Sequence, residues 1–366
     1  MKIKTITCHD VYNVGASLQA YALQEYLKSL GHDVKIIDYK PDYLSKHYRL
    51  DIVGNPKYNK PLLRQLYLLA KLPGRLYMLP CKEAFDRFTA KYLDLTRRYT
   101  SNEELKREPP EADVYFAGSD QIWNTAFQNG RDPAFYLDFA PDNTMRASYA
   151  ASFATEDVLE EWKPKVRELL TGMDAISVRE KSGLRIAEEL GVPDAVQVLD
   201  PVFLLDRSIW TSIEGPLKHT KPYILLYDFD HEPGLVQFAR RLAKENGWEV
   251  YSVLTCSDCD RCFSREGPLT FISLVHHAEF VVSNSFHATA FSLIFQKNFI
   301  VFDRKEKINT RMRDMMSLVG LESCMYSNGE TGNLADIDYR MVNAKLNEEV
   351  KKSKEFINKT IESAAG

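Results

Sequence analysis

The residues with the most chemical potential lie at Ser283-Asn284-Ser285-Phe286-His287. An apolar run over 280–282 empties into three small polar residues, and a helical pattern over 286–295 begins at once. Serine and asparagine are good N-cap types. The free amides and the macrodipole at a helix start favour an anion such as phosphate or carboxylate. His287 falls in the first turn, beside that anion, where it can donate or accept a proton. An ordinary capped helix with a buried histidine has the same local pattern, so both readings stay open at this point.

Gly118-Ser119-Asp120-Gln121-Ile122-Trp123-Asn124 has the same form, a strand running into glycine and then polar residues. Glycine lets a backbone approach a ligand closely. On a helix, Asp120 and Asn124 would share a face, and Trp123 could stack on a sugar ring; the alternative is a capped helix with Trp123 in the core. Near the start, Asn13 and Gly15 precede a helix opening Ala16-Ser17-Leu18-Gln19, a third turn that could face an anion. None of these matches a Walker or dinucleotide glycine motif, so P-loop and NAD readings fail.

Cys256, Cys259 and Cys262 form a CxxCxxC run. Three thiolates at this spacing could contribute to a zinc or iron–sulfur site. No fourth ligand is adjacent, although His276 and His277 could serve in principle. The expectation is three reduced thiols and no metal. Residues 57–92 carry eight basic and two acidic side chains among leucines and tyrosines. Pro73-Gly74 and Pro80 should divide this stretch into shorter helices. Such basic amphipathic helices either lie on an anionic membrane or dock their apolar face on their own domain; docking is the expectation.

These segments need a scaffold, and alternation of strand and helix patterns points to α/β architecture. A strand at 3–7, a loop at 9–15, a helix at 16–30 stopped by Gly31 and a strand at 34–37 make one βαβ unit. Residues 51–111 read as a helical insertion. The α/β rhythm resumes at 114–117, with strands at 146–150, 175–178 and 196–198 and helices at 156–171 and 180–190. A boundary follows residues 200–205. A second series runs from 223 to 302, and a polar-rich helix at 341–364 folds back. The division is an N-terminal Rossmann-like domain over 1–210, a second over 211–340 and a C-terminal helix over 341–366. Two such domains face across a cleft at the carboxyl ends of their strands, where ligands of open α/β sheets bind.

The chain has 366 residues, 47 Lys+Arg against 51 Asp+Glu, and a net charge of −4. That balance excludes a nucleic-acid binder working by bulk positive charge. A hydrophobic fraction of 45% is ordinary for globular domains. There is neither a secretory signal pattern nor an apolar run long enough to span a bilayer. The expected compartment is the cytoplasm, with peripheral contact at the inner membrane surface through residues 57–92 as the variant of that expectation.

Taken together, Asn13-x-Gly15-Ala16-x-Leu18-Gln19-Ala20-x-Ala22-Leu23, Gly118-Ser119-Asp120-Gln121-x-Trp123-Asn124, Ser177-Val178-Arg179-Glu180, Asp200-Pro201 and Ser283-Asn284-Ser285-Phe286-His287 resemble the polysaccharide pyruvyl transferase family. Ala288 departs from the glycine common there, and the CxxCxxC run is not part of the resemblance. The resemblance implies a GT-B-like architecture. It also implies transfer of the enolpyruvyl carbons of phosphoenolpyruvate, a co-substrate rather than a cofactor, onto two hydroxyls of a sugar in a polysaccharide or its precursor. That chemistry asks for a general acid, a base and cationic clamps. On this reading His287 and Asp120 are catalytic. Arg179 is the principal donor clamp, joined by Asn284, Ser285, Arg311 and Arg313. Asn13, Gly15, Gln19, Asp120, Trp123 and Asn124 face the acceptor. A nucleotide-sugar glycosyltransferase and a non-catalytic carbohydrate-binding protein are the rival readings, since the architecture alone would fit either.

Overall fold

A computed structural model describes residues 1–44, 52–53, 56–217, 221–305, 309–326 and 336–365. The chain opens with β1 (Lys2–Ile6), α1 (Val14–Ser29) and β2 (Asp33–Tyr39). Asn13 caps α1, its side chain accepting from Gly15 N and Ala16 N. Then come α2 (Pro61–Tyr92), β3 (Leu95–Tyr99), α3 (Asn102–Arg107), β4 (Val114–Ala117) and β5 (Met145–Ser148). The five strands form one parallel sheet in the order β3-β2-β1-β4-β5.

Two expectations are corrected here. The stretch 51–111, of which residues 51, 54 and 55 lie outside the described residues, is not wholly helical: it contributes β3, an edge strand of the first sheet. Only Tyr99 of that strand is buried, while Arg97 and Arg98 face solvent, so the strand shows no apolar pattern in sequence. The basic stretch is one helix of 32 residues with Pro73 and Pro80 inside it, not several short ones. Each proline removes a donor to the carbonyl four residues back. Those carbonyls belong to Leu69 and Leu76, exposed positions where water can substitute.

A short connecting layer follows, with α4 (Lys163–Thr171), the two-residue strands β6 (Ser177–Val178) and β7 (Val196–Gln197), α5 (Lys181–Glu189) and α6 (Arg207–Ser212). The second sheet is built from β8 (Tyr223–Tyr227), α7 (Pro233–Asn246), β9 (Glu249–Ser252), β10 (Arg261–Cys262), α8 (Pro268–His276), β11 (Phe280–Ser283), α9 (Phe286–Phe295), β12 (Asn298–Phe302), α10 (Thr310–Val319) and β13 (Met325–Tyr326). It too is parallel, in the order β10-β9-β8-β11-β12-β13. The last helix, α11 (Tyr339–Ala365), returns to the middle of the molecule. There Ser353 Oγ accepts the Leu199 N–H at 2.9 Å and Lys354 lies over the Tyr26 ring of α1.

One apolar cluster runs through both sheets, from Ile3 and Leu23 to Phe291 and Val301. Its seam is aromatic: Tyr21 of α1 meets Trp210 of α6 edge-on at 5.7 Å, and Trp210 meets Phe291 of α9 at 4.9 Å. Trp210 is fully buried and its Nε1 donates to Val202 O. Buried aromatic pairs of this geometry add to ordinary area burial. The two halves are therefore joined by core rather than by a wet interface.

Candidate active site

In each sheet the strand order reverses at the first strand of its series, with β1 between β2 and β4 and β8 between β9 and β11. Ligands of open α/β sheets collect outside the carboxyl ends of strands at such reversals. Here the two reversals face one another across a cleft of about 210 Å³. Asn13, Asp120 and Gln121 line it from one side, and Phe229 with Asn284 to His287 from the other.

The second-sheet wall is set by its polar residues. Ser283 Oγ donates to Tyr227 O at 3.0 Å and accepts from Ser285 N at 2.8 Å, tying β11 to β8 and bending the chain toward α9. Asn284 spans the same two strands: its amide donates to Asp228 Oδ1 at 2.8 Å, and its carbonyl accepts the Phe229 N–H at 2.9 Å. Ser285 caps α9 by accepting from Ala288 N. Asn284 and Ser285 thus shape the turn and present its amides to the cleft.

On the first-sheet side, Gln19 Nε2 donates to Thr7 Oγ1 at 2.9 Å, and Thr7 Oγ1 donates to Ser119 O at 2.8 Å. This chain fixes the end of β1 to the end of β4. Asp120 follows with φ of 77°, a left-handed conformation that aspartate tolerates better than most residues. Its carboxylate faces the cleft 3.7 Å from Arg179 Nη2 and 3.8 Å from Arg311 Nη1.

Between the walls lies a buried charged group that the candidate residues alone did not include. Asp200, between β7 and α6 in the connecting layer, caps the turn Pro201–Leu204 through Val202 N. Its Oδ2 pairs with Arg179 Nη1, accepts from Ser119 Oγ at 3.2 Å and lies 3.5 Å from His287 Nε2. Burial alone would raise the Asp200 carboxyl, but His287 and Arg179 outweigh it and hold it well below the usual carboxylate range. Asp200 is therefore an anion behind His287, placed to neutralise an imidazolium when the ring takes a proton. The signal in sequence was Asp-Pro, a capping residue ahead of a proline at the end of a strand.

His287 itself is held from the other domain. The Gly15 Cα packs directly on the His287 ring, and a Cβ there would overlap Nδ1, Cε1 and Cγ. Gly15 is thus needed for close approach of the two halves rather than for sugar contact. Gly15→Ala is expected to push the imidazole off Asp200 and lower turnover at least about tenfold, since small misplacements of reacting groups cost that much or more. Steady-state kinetics beside a melting curve checks it; wild-type kcat in a cooperatively folded variant would refute it.

The arginines divide differently from expectation. Arg179 does not line the main cleft: it is buried behind the wall, its Nη1 paired with Asp200 and its guanidinium over Phe286 at 4.7 Å, while its Nε and Nη2 have no hydrogen-bond partner among the described residues. Burial works against its charge, and Asp200 with Asp120 outweighs it. Arg311 does line the cleft. Burial and the neighbouring Arg179 bring it down to about 10, and its buried Nε has no hydrogen-bond partner among the described residues. Arg304 enters the same cleft, held by both oxygens of Asp230 at 2.9 and 3.0 Å; nothing in its local sequence announced it. Arg313 points away and pairs with Asp303 at 2.7 Å on the surface.

Three expected acceptor contacts are also corrected. Trp123 is in the core, stacked on Tyr136 at 5.3 Å with its Nε1 donating to Phe135 O at 2.9 Å. Residues 119–127 form turns, not a helix, so Asn124 does not share a face with Asp120. Asn124 is buried, donates to Gln121 Oε1 and accepts from Ala126 N. Gln19 is buried in the Thr7 chain described above. All three hold the turn after β4 in place, because a fully buried amide or indole must spend its polar atoms on neighbours.

Cys256, Cys259 and Cys262 are free thiols. Burial, with Cys256 and Cys262 adding, pushes the Cys259 thiol up to about 12. Cys259 donates to Cys256 O, and Cys262 donates to Leu254 O. His276 and His277 turn instead to Glu214, at 2.8 and 3.4 Å.

Two parallel α/β halves offering their reversal points to one cleft define the GT-B class of fold. In the same class is UDP-GlcNAc 2-epimerase from Neisseria meningitidis, with a TM-score of 0.56, 12% identity, and coverage of 99% of this chain and 100% of that one. A candidate UDP-N-acetylglucosamine 2-epimerase from Listeria monocytogenes gives a TM-score of 0.50 at 12% identity, covering 97% of this chain and 90% of that one. Comparison with curated protein sequences finds no match. The model of the polysaccharide pyruvyl transferase family matches residues 13–306, and the chain belongs to that family. No helix among the described residues is long and apolar enough to cross a membrane.

Proposed function

We propose that the protein transfers the enolpyruvyl carbons of phosphoenolpyruvate to two hydroxyls of one sugar, forming a cyclic pyruvate ketal and releasing phosphate. The observation that carries this reading is the placement of His287: in the first turn of α9, backed by the Asp200 carboxylate, in a cleft that Arg311 also enters. Phosphoenolpyruvate has a carboxylate and a phosphate to be held and one carbon to be protonated. Arg311 and the amides at the start of α9 meet the anionic groups. His287 delivers a proton to the methylene carbon, and Asp200 neutralises its charge before transfer. The resulting oxocarbenium-like centre is attacked by the first hydroxyl, whose proton passes to Asp120 or back to His287. Loss of phosphate then opens the same carbon to the second hydroxyl. Of the two protons that leave the hydroxyls, one restores the acid that protonated the carbon and the other departs on the phosphate, which keeps the ester oxygen, so the step balances with no change of oxidation state.

Incubation with phosphoenolpyruvate and a panel of lipid-linked or nitrophenyl sugars, read by mass and phosphate release, tests the reading. Gain of pyruvic acid less water on an acceptor, with equimolar phosphate, is expected; no gain across the panel overturns it. Arg311→Ala is expected to weaken phosphoenolpyruvate binding by about 1.5–3 kcal/mol, the range for hydrogen bonds to charged groups. Arg311→Lys should fall between, keeping charge but losing the two-pronged fit to an oxyanion. Calorimetry decides it, and unchanged affinity in Arg311→Ala would remove this residue from the donor site.

A further inference from the structure

We infer that the N-terminal half of helix α2 is a docking surface for an anionic phospholipid bilayer. Only Cys81, Phe85 and Phe88 of its 32 residues are buried, all near its C-terminal end. The remainder displays an apolar ridge to solvent: Leu62, Leu66, Leu69 and Leu76 are 72, 57, 67 and 48% exposed. At 100° per residue these positions fall on one face, spaced i, i+4, i+7 and i+14. Lys60, Arg64, Lys71 and Arg75 fall on the opposite side by the same count. A row of large exposed leucines is unusual for a surface with no partner.

Charge decides what covers it. From residue 57 to residue 82 there are six basic side chains and no acidic one, in a chain whose net charge is −4. A second copy seated on this ridge would press two segments of the same sign together. An anionic bilayer meets both demands at once, taking the leucines below its headgroups and the basic side chains at its surface. The expectation that this apolar face docks on its own domain therefore holds only from Met78 onward. At that end Met78, Cys81 and Phe85 line a cavity of about 270 Å³ that shares Asn13 and Phe229 with the cleft. The helix that touches lipid at one end thus walls the neighbour of the active site at the other.

Docking asks nothing of the donor chemistry, so it is measured on the full chain without phosphoenolpyruvate, by co-sedimentation with vesicles. Wild type should sediment with phosphatidylglycerol–phosphatidylcholine vesicles at low salt, and much less with phosphatidylcholine alone or in high salt. The variant Leu62→Glu/Leu66→Glu/Leu69→Glu should lose binding at least tenfold, and Lys60→Gln/Arg64→Gln/Lys71→Gln by about fivefold per charge removed. Both should keep wild-type thermal stability, since the substituted side chains are exposed. Failure of wild type to bind anionic vesicles, or equal binding by the leucine variant, overturns the inference. So does a wild-type dimer in light scattering that the leucine substitutions split, which would assign the ridge to a second copy.

Discussion

Replacing His287 by alanine is expected to lower kcat by about 10²- to 10⁴-fold, the usual contribution of a positioned general acid or base. The fold should survive, because the imidazole makes no hydrogen bond that a strand or helix depends on: Ser283, Asn284 and Ser285 build the turn without it. Binding of phosphoenolpyruvate should change far less than turnover, since Arg311 and the α9 amides stay in place. Steady-state kinetics and calorimetry on the same preparation separate the two effects. A variant that keeps more than about a tenth of the wild-type rate would exclude His287 from proton transfer.

Arg179→Ala acts through a different quantity. Removing the guanidinium leaves Asp200 buried with only His287 and Ser119 against its outer oxygen. Breaking one partner out of a buried ion pair costs about 3–5 kcal/mol, whereas replacing both partners with apolar residues is often close to neutral. Urea unfolding of Arg179→Ala should therefore show a large loss of stability, and Arg179→Met/Asp200→Leu should recover most of it while remaining inactive. The acid side carries a second signature. The folded Asp200 carboxyl lies below its unfolded value, so its stabilising contribution is complete above about pH 4 and is lost as acid protonates it in the folded state. Asp200→Asn should flatten the stability curve in that range. Arg179→Ala with wild-type stability would show that the pair carries no weight in folding.

The strands and helices with regular apolar spacing were legible from sequence. Helix α1 carries its own cap at Asn13 and stops before Gly31, and the turn at 283–287 announces itself by a run of capping residues after an apolar strand. What escaped did so for physical reasons. Strand β3 buries a single residue, so no alternation marks it. The prolines of α2 stop a helix only where the lost bonds must be made inside protein, and here they fall in exposed chain. Trp123 and Asn124 have the side chains of a sugar site, but the turn that carries them closes over the first-sheet core, and residue type does not report which way a turn closes. Asp200 lies well apart in sequence from Arg179 and His287, the two side chains it faces. Its role emerges only when β6, the connecting layer and α9 converge.

The aromatic seam of Tyr21, Trp210 and Phe291 bears on how this enzyme can be recombined. Many two-domain folds tolerate exchange of one half for a homologous half, because the junction is a hinge and each half keeps its own interior. Here the interior is common property, and the imidazole of one half rests on the bare Cα of Gly15 in the other. A chimera would have to carry α1, α6 and α9 over as a matched set. A graft that moved the first-sheet wall alone would inherit a foreign register at the seam, and with it a histidine out of line with its carboxylate.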